Sequence, residues 1–140
     1  MNKIVFLLGL WVLLCTGRTF AQESPIEVNP DQACSNEVFV VVENPPTYKG
    51  GLEQLAKDLN DRLRFDKKVK ESFLIRTLIN CEGQLFLLGP FDPVGSSPLS
   101  QTSMALYELQ HWQAGIQRTK TVDCYVNLWC KIKKGKIFIN

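Results

Sequence analysis

Residues 121–132 read TVDCYVNLWCKI. Val122, Cys124, Val126, Leu128, Cys130 and Ile132 alternate there with Asp123, Tyr125, Asn127, Trp129 and Lys131. Strict alternation over such a length marks a strand with one face on a core and one facing outward. A partner lies upstream. Phe73, Ile75, Thr77 and Ile79 alternate with Leu74, Arg76 and Leu78, and Asn80-Cys81-Glu82-Gly83 is turn chemistry. Residues 84–88 then form a second strand, so the whole stretch is a hairpin. The segment between this hairpin and the last strand holds a loop at 89–97, with Pro90, Pro93 and Gly95. Ser97-Pro98 supplies an N-cap and a proline at the first helical position. A helix is expected over 99–112, with Leu99, Ala105, Leu106 and Leu109 inward and Trp112 in the core.

Further upstream, Leu52, Leu55, Ala56, Leu59 and Leu63 recur at helical spacing after the Tyr48-Lys49-Gly50-Gly51 turn. That helix should end near Phe65-Asp66. Residues 37–43, EVFVVVE, read as a Val-rich strand that Asn44-Pro45-Pro46 stops. Residues 137–139 read as a last short extension. The order β-α-β-β-α-β defines an α+β fold, a small antiparallel β-sheet with two helices packed on one face. A right-handed crossover puts the last strand beside the first strand of the hairpin. The last strand is then an edge, unless residues 37–43 cover it.

The chain has 140 residues and a formal charge of +2, a length for one compact domain and a charge too small to indicate nucleic acid. Lys3 and Arg18 are the only charged residues among the first 21, and residues 4–15 (IVFLLGLWVLLC) carry none. Thr19-Phe20-Ala21 places small residues at −3 and −1 of a cut before Gln22. Residues 1–21 therefore read as a secretory signal peptide, 22–36 as a short polar leader and 37–140 as the folded domain. The apolar run is too short for a span of ~20 residues, and Leu14 before Cys15 does not suit a lipoprotein. Cleavage leaves a formally neutral chain with no integral membrane span. The expected location is the periplasm, or an association with the outer membrane or cell surface.

Four cysteines remain after cleavage, Cys34, Cys81, Cys124 and Cys130. In an exported chain an even number indicates disulfides. Cys124 and Cys130 lie about 20 Å apart along one strand at ~3.3 Å per residue, so they should not pair with each other. An antiparallel last strand brings Cys124 opposite Cys81, which leaves Cys34 for Cys130. The cysteine spacing does not suit zinc.

The order of motifs resembles the TonB carboxy-terminal domain in its Bacteroidetes-type form. Pro46-Thr47-Tyr48-Lys49-Gly50-Gly51 resembles that family's P-x-F-P-G-G turn. Phe65-Asp66 stands for the Tyr-Pro that ends its first helix. Residues 79–85 resemble its Ile-Asp-x-x-Gly-x-Val turn, and Trp112-Gln113-Ala114-Gly115 its Trp-x-Pro-Gly. Arg118-Thr119 occupies the place of an Asn-Gly turn. Lys49 and Ala114 replace two family prolines, Glu71 stands where a glycine is usual, and the loop at 89–97 is atypical. No long spacer or persuasive anchor is apparent.

The resemblance implies binding of a protein or peptide by strand addition, such as the amino-terminal segment of an outer-membrane receptor. The matching edge is Tyr125, Val126, Asn127, Leu128, Trp129 and Lys131. The alternatives are a structural or surface-associated module that keeps the fold without peptide binding and, further off, an anchored energy transducer. Catalytic residues, cofactors and metal ligands are not indicated. His111 is the single histidine, Glu82 and Asp92 form no acid/base pair, and Gly50-Gly51 lacks the phosphate-loop frame. The basic tail of Lys131, Lys133, Lys134 and Lys136 reads as a solvated end.

Overall fold

A computed structural model of the chain describes residues 31–89 and 94–140. The expected signal peptide, most of the expected leader, and Pro90, Asp92 and Pro93 lie outside the described residues. Ten elements follow in order: β1 (Val38–Phe39), β2 (Thr47–Tyr48), α1 (Gly51–Arg62), β3 (Glu71–Ile79), β4 (Leu85–Leu87), α2 (Pro98–Glu108), β5 (Trp112–Gln113), β6 (Gly115–Gln117), β7 (Lys120–Lys133) and β8 (Lys136–Ile139). The α+β class holds, with a small sheet and two helices.

The main sheet runs β1-β7-β3-β4, with β6 and β8 also paired to β7. The hairpin forms where the pattern places it, with Ile79 opposite Leu85. Its turn is organised by Asn80, whose side-chain oxygen accepts from the amides of Glu82 (3.0 Å) and Gln84 (2.9 Å). Gly83 is required there. Its φ is +78, and a Cβ would lie 2.6 Å from the Trp112 carbonyl oxygen. The crossover through α2 sets β7 beside β3 along nine antiparallel pairs, from Glu71–Ile132 to Ile79–Cys124. β7 therefore takes a central position, with β1 and β8 on its far side. One of these pairings departs from the all-antiparallel expectation, because β1 runs parallel to β7.

Leu55 and Leu59 of α1, Ala105 and Leu106 of α2, and Leu109 just beyond it share one core with Ile75, Ile79, Leu128, Cys130, Ile132 and Ile137. Burial of such side chains is the main driving force for folding, roughly 1.5–3 kcal/mol for each leucine or isoleucine. The cap on α2 is as expected, with Ser97 Oγ accepting from the Ser100 amide at 3.1 Å and Pro98 at the first position. Leu99, expected inward, lies at the rim of the core and is 36% exposed.

α1 stops at Arg62, short of the expected end near Phe65-Asp66, because Leu63 is already extended. Two other boundaries differ because of tertiary pairing. α2 stops at Glu108, and Trp112 pairs with Tyr48 in the small β2–β5 ladder. The two rings meet edge to face at 5.3 Å. Gln110 caps the gap by accepting from the Leu85 amide at 2.9 Å. Tertiary pairing thus overrides a helical pattern that would have run on to Trp112. Residues 37–43 were expected to be one strand, yet only Val38 and Phe39 are paired. The chain then leaves β7 for β6, where the backbones of Asn44 and Ile116 exchange hydrogen bonds of 3.1 and 2.8 Å.

Candidate functional site

β7 has a closed edge and a partly open one. Along β3 the ladder is continuous. On the other edge, Trp129 and Asn140 exchange backbone hydrogen bonds of 3.3 and 3.0 Å, and β8 continues from there to Lys133. Alternation along a strand then directs the N–H and C=O groups of the odd-numbered residues toward this same edge. β1 meets it at Asp123 and Cys124. Between these two neighbours, residues 125–128 pair with β3 alone, an opening of about 13 Å at ~3.3 Å per residue. Phe39 takes the Tyr125 N–H, so the Tyr125 carbonyl and both backbone groups of Asn127 face it.

The opening is shorter than the expected binding edge. Tyr125, Val126, Asn127 and Leu128 lie on it, while Trp129 and Lys131 lie where β8 and Asn140 close the strand. Trp129 remains available through its side chain, which is 59% exposed. Phe138, half-exposed, stands opposite Lys131 on the neighbouring strand. Leu128 is buried in the core, so its side chain offers nothing to the edge. Lysines dominate this end of the sheet, with Lys131, Lys133, Lys134 and Lys136 all exposed.

A second feature sits at the start of β7. Asp123 is 1% exposed. Its carboxylate accepts three backbone amide hydrogens, from Cys34 (2.7 Å), Ser35 (2.9 Å) and Cys81 (2.8 Å). A buried carboxylate needs such partners, because desolvation without them is prohibitive. The arrangement pins residues 34–35, expected to be leader, onto the sheet. It also brings Cys34 and Cys81 together in a disulfide.

The expected pairs Cys81–Cys124 and Cys34–Cys130 are therefore corrected. Ile79, not Cys81, stands opposite Cys124, and the chain turns away at Asn80. Cys124 and Cys130 are free and buried. Burial pushes the Cys124 thiol up and the Cys130 thiol up to about 12, so neither is a ready nucleophile. Cys34 Sγ, Cys81 Sγ and an Asp123 oxygen lie within 4.8 Å of one another. Joined to each other, the sulfurs offer no thiolate to a metal. A cleft of about 600 Å³ opens beside the disulfide, with Phe39, Arg118 and Lys120 among its walls.

The single histidine, His111, has its ring 6.2 Å from that of Tyr48. Beside it the Tyr48 hydroxyl donates to Asp58 at 2.6 Å and Gln54 donates to Asp58 at 2.7 Å. These two hydrogen bonds, the one from Tyr48 first, hold the Asp58 carboxyl below its usual range. Desolvation, and then Asp58, push the Tyr48 phenol up. The group ties the β2–β5 ladder to α1. Trp112 is buried, as the sequence implied.

The alternation places Asp123 on the outward face of the last strand and Val40-Val41 within a continuous strand, whereas Asp123 is buried and both valines lie exposed beyond the end of β1. Aspartate is depleted in strands, so its position inside an apolar alternation was the available signal. No family model, no curated protein and no solved structure matches the chain. Among the described residues no helix is long and apolar enough to cross a membrane.

Proposed function

We propose that the chain is a TonB carboxy-terminal-like domain that binds an extended peptide by strand addition at the open stretch of β7. The observation that carries this reading is the opening at residues 125–128, flanked by β1 and β8 on one edge. An incoming strand gains affinity from the backbone of Tyr125 and Asn127 and selectivity from the side chains around them. The space is too short for a long strand. A second copy of β7 would carry its own β8 into this one, so the opening suits about four residues of a foreign peptide. The exposed lysines around Trp129 favour acidic flanking residues in that peptide.

The motif order supports the family reading, from Pro46 through Gly83 to Arg118-Thr119. The disulfide supports an oxidising compartment, in keeping with export to the periplasm and an outer-membrane receptor as the source of the peptide. Titration with synthetic peptides tiling receptor amino-terminal segments tests the reading, with Trp129 fluorescence as the readout. Asn127→Pro removes an edge donor while leaving the β3 ladder intact. It should weaken binding by about tenfold, the equivalent of one net hydrogen bond. Absence of binding by every segment would return the domain to a structural role.

A further inference from the structure

Val40 and Val41 are 76% and 83% exposed. They follow directly on β1 within EVFVVVE, a run with strand composition throughout. β1 nevertheless stops at Phe39. Its parallel register sets Val38 against Asp123 and Phe39 against Cys124. In a parallel ladder every second residue of the added strand spans the two neighbours of its partner. Phe39 thus spans Asp123 and Tyr125. The next such residue is Val41, which would span Tyr125 and Asn127, the two residues whose backbone faces the opening. In that register Val41 lies alongside Val126, a half-buried residue at the border of the core.

We infer that residues 40–42 are a built-in occupant of the β7 opening. They exchange between the position bridged to β6 and an extension of β1 that pairs Val41 with Tyr125 and Asn127, and an incoming peptide must displace them. The displacement rests on the peptide-binding reading, whereas the exchange stands without it.

The two positions exclude one another. Val42 beside Asn127 and Asn44 beside Ile116, which itself pairs with Thr121, would stand about six residues apart along β7. That is ~20 Å at ~3.3 Å per residue, and two residues of chain cannot span it. The extended form must therefore release the Asn44–Ile116 hydrogen bonds. It also releases the bond from the Glu43 amide to Gln117 Oε1, 3.0 Å. In return it satisfies edge groups of Tyr125 and Asn127 and covers Val41.

Amide hydrogen exchange of the oxidised protein, read residue by residue, tests the exchange without any peptide. Val41→Pro removes the N–H that would donate to the Tyr125 carbonyl and fixes a φ unsuited to the ladder, which disfavours the extended position. The residue lies in an exposed bend, so the fold should survive. The Asn127 amide should exchange about tenfold more slowly in the wild type than in Val41→Pro, with the β3-facing amides of Val126 and Leu128 unchanged. Gln117→Ala, which loosens the β6-bound position, should slow Asn127 further. The same occupancy lowers peptide affinity by the same factor, so Val41→Pro should bind a receptor-derived peptide about tenfold more tightly. Equal, fast exchange of Asn127 in the wild type and Val41→Pro overturns the inference, even where peptides bind. Slow exchange that Val41→Pro abolishes, with no peptide bound by either protein, upholds it and overturns the peptide reading instead.

Discussion

Asp123 shows how much one side chain can organise. Two carboxylate oxygens serve three amides from two separate segments, residues 34–35 and Cys81. Asparagine has the same shape but only one acceptor oxygen, and its amino group would face an N–H. Asp123→Asn should therefore cost about 1–3 kcal/mol, seen as a lower urea midpoint with an unchanged slope. Tyr48 and Asp58 carry a pH-dependent contribution. Because the folded Asp58 is held below its unfolded value, its stabilisation is present above the usual carboxylate range and is lost as pH falls through the folded value. Tyr48→Phe should thus destabilise at about pH 7 and progressively less as pH falls below the usual carboxylate range, in denaturant titrations. At the alkaline end the raised phenol stabilises the fold below its ordinary value, and that contribution disappears as pH climbs beyond it.

At the scale of elements, turns and strand ends decide more than propensity does. The β6–β7 hairpin closes through Arg118 and Thr119, with φ of +48 and +67. Two consecutive left-handed residues define the turn that Asn-Gly makes with least strain, and a β-branched residue there is costly. Replacing Arg118 by Asn and Thr119 by Gly should stabilise the domain by about 1–2 kcal/mol, raising the melting temperature by about 4–8 °C per kcal/mol. The β7–β8 hairpin already uses a glycine, Gly135 after Lys134. The central hairpin of β3 and β4 was plain in the sequence because its alternation and turn are local. The end of α2 was not, since Trp112 leaves the helix to meet Tyr48, 64 positions away in a ladder of two residues.

For the whole molecule, the disulfide ties the first described segment to the turn after β3, across 47 positions. Closing a loop of that size contributes about 2–4 kcal/mol, and reduction should remove it. Non-reducing peptide mapping should recover Cys34 linked to Cys81. Cys124 and Cys130 should resist alkylation until the protein is unfolded, because both thiols are buried and held protonated. A link from Cys124 to either partner would contradict the register of β7 on β3.

Periodicity in the chain was enough to establish the α+β class, the hairpin, the cap on α2 and the place of the last strand beside β3. Each rests on signals between near neighbours, or on the handedness of a single crossover, and such signals survive in one dimension. The cysteine pairing, the length of the open edge and the detachment of Val40-Val41 from β7 came from the fold alone. They depend on where segments distant in sequence arrive together, on Asp123 collecting amides from two of them and on β8 folding back over Trp129. A buried carboxylate and a strand edge acquire partners only when the chain is closed in space, so their consequences cannot be read from the order of residues.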